Sequence, residues 1–201
     1  MTIDVERETM LTPADWIPGP GQGNWTYDYY ATLPEDGHRY EIVDGVLLDM
    51  TPAPGIPHQN AVLQFSYYLI IHVKNAAMGK VFLSPVDVEL TPKKVFQPDI
   101  AVVLNARLDR VITSHIVGAP DLLIEVASPR TVKHDHTTKR KAYALAGVTE
   151  YWLVDPILET VEVLSLRDSA YSSLGNFHGD DTLISQIVPT IAEISVKQFF
   201  A

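Results

Sequence analysis

Two acidic residues in short apolar stretches are the first positions with the types and spacing for chemistry. Asp99 follows Pro98 in QPDIAVVL, and Glu125 interrupts the apolar stretch DLLIEVAS. If these stretches form paired strands, the two carboxylates converge, and they repel unless one takes a proton or a cation lies between them. Oxygen ligands in a chain without cysteine favour Mg²⁺ or Mn²⁺ over Zn²⁺. Taken singly, each acid also has a plain structural explanation, as a cross-strand partner of Arg or as a turn residue after Pro.

A lysine close to this acidic pair comes from a different element. A Glu-x-Lys pattern starting at Glu125 would need lysine at position 127, where the sequence has Ala127. Asp135, Lys139 and Tyr143 are spaced four apart, so they share one stripe of the helix predicted after the Glu125 strand, and Lys139 can point back to the carboxylates. The alternative is a surface Asp–Lys pair worth about 0.2–0.5 kcal/mol, with Tyr143 over the core edge.

The elements that must position these residues follow from periodicity and turn signals. A short helix starts at Tyr27, and Asp44-Gly45 between two apolar runs predicts a hairpin. Helical periodicity covers residues 58–79 and 135–147, ended by Gly79 and Gly147. Apolar patterns predict strands at residues 80–90, 97–104, 121–128, 150–156, 160–168 and 170–176. Period two places Glu125 away from the most apolar face of its strand.

These patterns predict a mixed α/β domain, with a sheet flanked by helices, over residues 25–201. The 201 residues of the chain, with 46% hydrophobic content, suffice for one core. Residues 1–24 are rich in Pro and Gly and predict an irregular N-terminal arm. Without cysteines, a signal peptide or a membrane-length apolar run, the chain is expected in the cytoplasm and not in a membrane.

The charge balance argues against an extended nucleic-acid-binding surface. Fifteen basic and 25 acidic residues give a net charge of −10. One basic stretch, KHDHTTKRK at residues 133–141, is open to two interpretations, a local basic patch or the solvated face of a helix. No His-Glu-x-x-His, Walker or Gly-x-Ser-x-Gly pattern is found, which disfavours zinc peptidases, P-loop enzymes and serine hydrolases.

With these motifs in this order, the chain resembles the Uma-two family of endonucleases, which have the restriction-endonuclease-like PD-(D/E)XK fold. The resemblance covers residue 25 to the end. It is carried by LPEDGHRYEIVDGVLLDMTPAP with the following His58, QPDIAVV, GAPDLLIEVASP, DHTTKRKAYALAGVTEYWLVDP and SQIVPTIAEISVKQFF. It implies a PD-(D/E)XK core with an extra β-hairpin.

The resemblance also implies roles for individual residues. Asp99, Glu125 and Lys139 would be the catalytic set, with Lys139 as the relocated lysine. Asp99, Glu125 and Glu41 would bind Mg²⁺ or Mn²⁺, Glu41 being the additional acid often found at the metal site. His58 and Asp135 match the family pattern without a derivable role.

The expected function is metal-dependent hydrolysis of phosphodiester bonds in DNA, with DNA as a transient partner. Two alternatives stay open: a catalytically silent nuclease fold that serves as a binding or scaffold module, and a metal-dependent hydrolase of a small phosphorylated substrate. A homodimer is compatible with such a fold.

Overall fold

Two six-stranded sheets carry the structure, a computed structural model that describes residues 11–51 and 55–201. The strands are β1 (Thr12–Pro13), β2 (Tyr40–Val43), β3 (Val46–Asp49), β4 (Gly79–Leu83), β5 (Val88–Thr91), β6 (Lys94–Phe96), β7 (Ile100–Leu104), β8 (Ile116–Val117), β9 (Leu122–Val126), β10 (Glu150–Asp155), β11 (Thr160–Arg167) and β12 (Ala170–His178). The larger sheet has the order β12-β11-β10-β9-β7-β4, and the smaller one has the order β1-β3-β2-β6-β5-β8.

Helices pack on both sheets and join their strands. They are α1 (Tyr27–Tyr30), α2 (Ile56–Leu69), α3 (Leu108–Val111), α4 (Val132–His134) and α5 (Arg140–Ala146). A π-helical segment, Ile70–Asn75, continues α2, and another, Asp135–Lys139, joins α4 to α5. Near the end of the chain, 3₁₀ turns at Pro189–Glu193 and Val196–Phe199 pack their apolar residues against the core.

Strand pairing in the larger sheet places the acidic stretches side by side. Strands β9 and β10 are parallel, and β7 runs antiparallel to β9. Because side chains alternate, Ile124 and Val102 face α2 and the C-terminal turns, whereas Leu123 and Ala101 face α5 and the smaller sheet. The face of Glu125 is therefore the one that meets α5, and the more apolar face lies opposite, as predicted.

The predicted hairpin is confirmed, but it belongs to a larger structure. Asp44 and Gly45 have φ values of 50° and 80°, the positive pair that a two-residue type I′ turn requires. Strand β2 then pairs with β6, which makes the hairpin part of the second sheet. The short strands β1, β6 and β8 of this sheet were not predicted, because their pairing depends on distant partners.

Two boundary predictions are wrong. Residues 80–90 form two strands, β4 and β5, which lie in different sheets on either side of the cis Ser84-Pro85 bond. The helix predicted over residues 58–79 ends before Gly79, because its π-helical end stops at Asn75. In the turn that follows, Ala77 adopts a φ of 54°. Gly79 is the first residue of β4, where a Cβ would lie 2.3 Å from the carbonyl oxygen of Val103. Its small size thus serves strand pairing and not a helix cap.

The part of the N-terminal arm that is described packs on the smaller sheet. Residues 1–10 and 52–54 lie outside the described residues. Strand β1 pairs with β3, and Ala14 is buried, so residues 11–24 are anchored. Among the described helices, none combines the length and apolar character that a membrane crossing demands.

Candidate active site

The two acidic residues lie opposite each other at the adjoining ends of β7 and β9. Ile100 is paired with Ile124, so one step beyond this pair Asp99 stands across from Glu125. Both side chains are buried. Oδ2 of Asp99 accepts a hydrogen bond from the backbone N–H of Val126 at 2.9 Å, which ties this carboxylate to the neighbouring strand. The convergence predicted from the sequence is therefore confirmed.

Lys139 reaches this pair from the π-helical segment. Its Nζ lies 2.9 Å from Oε1 of Glu125 and 2.9 Å from Oε1 of Glu41, and 3.6 Å from Oδ1 of Asp135. Only 2% of Lys139 is exposed, so the alternative of a surface pair is wrong. The lysine missing from position 127 is supplied from the following helix, and its catalytic role stays a prediction. A π-helical segment at this position fits the frequent occurrence of such distortions at functional sites.

Tyr143 has a part in the site that the sequence did not reveal. The alternative that puts Tyr143 over the core edge is wrong, because Tyr143 is fully buried and donates a hydrogen bond from its hydroxyl to Oε1 of Glu125 at 2.8 Å. Burial, followed by the charge of Glu125, raises the pKa of Tyr143 well above its usual value, which keeps the hydroxyl protonated. Oε1 of Glu125 is thus fixed by Lys139 and Tyr143 together.

Glu41 lies beneath Lys139, with both oxygens engaged. Oε1 accepts from the backbone N–H of Gln97 at 2.9 Å, and Oε2 lies 3.3 Å from Nε2 of His134. Burial acts to raise the pKa of Glu41, but the charge of Lys139 and the contacts with His134 and Gln97 lower it to about 2. Glu41 is therefore the carboxylate that holds Lys139, and its predicted role as a metal ligand stays a prediction.

The cluster carries more negative charge than Lys139 neutralises. Burial raises the pKa of Glu125 well above its usual value, and the charges of Asp135, Asp99 and Glu41 add to this rise while Lys139 opposes it. Burial likewise raises the pKa of Asp135. Burial acts to lower the pKa of Lys139, but the charges of Glu125, Glu41 and Asp135 raise it well above its usual value, so the ammonium stays charged. An additional cation would relieve this imbalance.

A small pocket of about 30 Å³ opens next to the paired acids. Its lining includes Asp99, Glu125, Lys139, His58 and Arg130. Among the described residues, Oδ1 of Asp99 and Oε2 of Glu125 form no hydrogen bond, because the protein contacts of these carboxylates use the other oxygen. Each acid therefore retains one oxygen for a ligand. The volume is enough for about one or two water-sized groups.

The residues present fit a hard divalent cation held by two carboxylates. Mg²⁺ is commonly bound by one or two carboxylates, with water and substrate phosphate completing its octahedron. The free oxygens of Asp99 and Glu125 match that pattern, and the excess negative charge favours it. Within residues 11–51 and 55–201, no group of three or more His, Asp or Glu side chains is arranged to hold a metal by itself. The site therefore suits a shared protein and substrate coordination.

His58, which matched the family pattern without a role, contacts Asp99. Its Nε2 lies 3.1 Å from Oδ2 of Asp99, and the imidazole is 6% exposed. Helix α2 begins two residues earlier, at Ile56, and so carries the ring to the end of β7. Sequence reasoning missed this contact because it joins residues 41 positions apart.

Comparisons with known proteins agree with this architecture. The family model Uma2, described as "Putative restriction endonuclease", matches residues 27–197. A crystal structure from Anabaena variabilis ATCC 29413, described as a putative nuclease belonging to DUF820, aligns with a TM-score of 0.69 at 24% identity, covering 87% of this chain and 97% of that one. The fold is thus shared with that protein. Among curated proteins, none matches the chain.

Proposed function

Because the chain belongs to the Uma2 family, we propose that it is a metal-dependent endonuclease that hydrolyses phosphodiester bonds in DNA. The observation that carries the proposal is the geometry of one pocket. Asp99 and Glu125 each present one unpaired oxygen to it, and the charged Lys139 lies 2.9 Å from the other oxygen of Glu125. Two carboxylates and a lysine around a water-sized space suit a phosphoryl group approached by a cation.

Asp99 and Glu125 would hold Mg²⁺ or Mn²⁺ in this pocket. Such an ion supplies activation of a water molecule and neutralisation of the charge that grows on the phosphodiester. Oδ2 of Asp99 is held by Val126 and His58, and Oε1 of Glu125 is held by Lys139 and Tyr143, so both carboxylates are oriented before any ligand arrives. Such preorganisation reduces the cost of assembling the site.

Lys139 would stabilise negative charge on the substrate. Glu41 fixes the ammonium from below at 2.9 Å, and Lys139 also lines the pocket. Its raised pKa keeps it positively charged over the physiological range. A fixed cation in a site of low dielectric stabilises developing charge more strongly than it would in water.

The size of the pocket argues against a small phosphorylated molecule as the substrate. Pockets that enclose small molecules have volumes of about 300–1,000 Å³. The pocket beside Asp99 has about 30 Å³, which admits a phosphate oxygen and leaves the remainder of the substrate outside. A polymer can satisfy this restriction, because it can lie across the surface and place only a phosphate oxygen in the pocket.

The cost of the buried charges argues against a scaffold without activity. Glu41, Glu125, Asp135 and Lys139 are all buried, and removing such charges from water costs several kcal/mol per ion before pairing offsets it. An apolar cluster of the same shape would stabilise the fold at least as well. Function is therefore the better explanation for keeping them.

Calorimetric titration of Mg²⁺ and Mn²⁺ tests the proposal. We expect binding to the wild-type protein and none to the Asp99→Ala, Glu125→Ala double variant, with circular dichroism confirming that the variant is folded. Incubation with plasmid and single-stranded DNA should then show cleavage with metal and none with EDTA. If neither protein binds Mg²⁺ or Mn²⁺ and the DNA stays intact, the nuclease proposal is contradicted and the scaffold alternative is favoured.

A further inference from the structure

A second depression adjoins the pocket beside Asp99, and its lining combines basic and hydroxyl side chains with Leu11 and Leu48. It has a volume of about 210 Å³, and Arg130 lines both cavities. Lys133, His134 and Thr138 form much of its other wall. We propose that this depression binds a phosphate of a polynucleotide strand, next to the phosphate at Asp99 and Glu125. This inference rests on the proposed nuclease function and assigns that site an extended substrate.

Arg130 supplies the most specific indication of an anion. Its Nε is buried and has no hydrogen-bond partner among the described residues, and a terminal nitrogen has only a long contact, 3.4 Å, with the backbone oxygen of Asp49. An unsatisfied buried donor costs about 1–3 kcal/mol. A phosphate can accept two parallel hydrogen bonds from a guanidinium, which would satisfy Nε. The arginine is therefore placed for an acceptor that comes from outside the described chain.

The charge of this region differs from that of the protein as a whole. The chain has a net charge of −10, yet neither Asp nor Glu lines the 210 Å³ depression. By contrast, a depression of about 300 Å³ beside α1 is lined by Glu35, Asp36 and Asp87. Basic side chains thus line one side of the pocket, where they can attract phosphate despite the overall charge.

The basic lining continues along the helix that carries Lys139. Thr137 belongs to the 210 Å³ depression and also to a third one of about 350 Å³, whose wall includes Arg140 and Lys141. This third lining also lacks Asp and Glu. Cavities in series, joined by Arg130 and Thr137, fit successive phosphates of a strand better than one free anion. The basic stretch at residues 133–141 therefore has two roles. Lys139 points inward to the carboxylates, and the other Lys and Arg side chains line the two outer depressions.

DNA binding in EDTA and its dependence on salt test the inference. Fluorescence anisotropy with a short labelled single strand is measured for the wild type, Lys133→Gln and Arg130→Gln/Lys133→Gln. The slope of log K against log salt is negative, and each lost phosphate contact reduces its magnitude by about 0.7 for a single strand. We therefore expect the slope to be less steep by about 0.7 for Lys133→Gln and by about 1.4 for the double variant. The control is Lys80→Gln/Arg167→Gln, which removes the same charge from two exposed positions elsewhere.

The outcomes separate this inference from the proposed nuclease function. Salt slopes equal to that of the control variant would overturn the phosphate site. If Arg130→Gln perturbs folding, the single variant Lys133→Gln still tests the site, because Lys133 is exposed. Equal competition by a 5′-mononucleotide and by unlabelled strand, at the same phosphate concentration, would overturn the extended substrate. Failure of the wild type to cleave DNA with Mg²⁺ would overturn the nuclease function. The salt-dependent binding would then still support a phosphate site in the 210 Å³ depression.

Discussion

Asp99 faces Glu125 across two antiparallel strands, one residue beyond the pair Ile100 and Ile124. Their separation is therefore set by strand spacing and alternation, and no loop has to fold for the two carboxylates to meet. Sites built on strands are held more precisely than sites on loops. Each acid keeps one oxygen fixed by the protein and one oxygen free, which makes their separate replacement informative.

Replacing Asp99 with Asn should abolish metal-dependent cleavage while the fold is retained. Asn keeps an oxygen that accepts a hydrogen bond from the N–H of Val126 but removes the negative charge of a proposed metal ligand. Loss of a residue that only supports a ligand costs about 10–100-fold in metal affinity or activity, so we expect a loss of about 100-fold or more here. Initial rates of DNA cleavage with Mg²⁺ measure it. Asp28→Asn, an exposed change of the same type, is the control, and equal rates for both variants would contradict the assignment.

Replacing Glu125 with Gln should stabilise the metal-free protein as the pH rises. The folded-state pKa of Glu125 is raised, so its protonated form contributes stability below the unfolded pKa of about 4.3, and that contribution is lost as the pH rises through the folded value. Gln keeps an acceptor for Lys139 and Tyr143 without the charge. We expect a Tm about 2–4 °C above the wild type at pH 8, equivalent to about 1 kcal/mol in a domain of this size.

Thermal unfolding in EDTA, compared at pH 4 and pH 8, measures this effect. The difference in Tm between the Glu125→Gln variant and the wild type should shrink at pH 4, because the carboxyl group of Glu125 is then largely protonated in the folded wild type. A lower Tm for the variant at pH 8 would show that the pairing of Glu125 with Lys139 outweighs the crowding of negative charge.

Glu41→Gln should have the opposite effect on stability. The folded-state pKa of Glu41 is lowered to about 2, so its contribution is present above the unfolded value and is lost as the pH falls through about 2. Gln at this position weakens the hold on Lys139 and His134. We expect thermal unfolding to give a lower Tm for the variant than for the wild type at pH 7, and a difference that shrinks as the pH falls toward 2. Equal Tm values for both variants at pH 7 would contradict the different roles of Glu41 and Glu125.

Local patterns sufficed for much of the framework of the site. Asp44-Gly45 specified a hairpin because both residues readily adopt positive φ, and alternation placed Glu125 on the correct face of β9. The spacing of Lys139 from Asp135 was informative although this segment is π-helical, because one turn of either helix carries the lysine to the same side. The Uma2 match agrees with the family assigned from the motifs.

Contacts between distant segments could not be read from local patterns. Residues 80–90 alternate like one strand, but their two halves pair with different partners and belong to different sheets. The role of Tyr143 depends on the distance between α5 and β9. The contacts of Glu41 with Gln97 and Lys139 join segments that are far apart in the sequence. Each is decided by tertiary packing, for which no signal exists within a window of about ten residues. Cytoplasmic location and dimerisation stay predictions.

His58 should act on the metal through Asp99. Its Nε2 lies 3.1 Å from Oδ2 of Asp99, so it orients the carboxylate and leaves Oδ1 for the ion. Such supporting contacts are worth about 10–100-fold in metal affinity or activity. We expect His58→Ala to weaken Mg²⁺ binding by at least about 10-fold, and His58→Gln to restore part of it, because an amide N–H can still reach Asp99.

Calorimetry of Mg²⁺ binding and the metal dependence of cleavage together identify this positioning role. If His58→Ala needs more Mg²⁺ for half-maximal cleavage, and its rate at saturating Mg²⁺ falls by a smaller factor than its Mg²⁺ affinity does, the variant has a weakened metal ligand and not a damaged fold. His136→Ala, at an exposed position on the π-helical segment, should leave both quantities unchanged. If His58→Ala instead binds Mg²⁺ like the wild type while its Tm falls, the imidazole serves only to pack α2 against the end of β7.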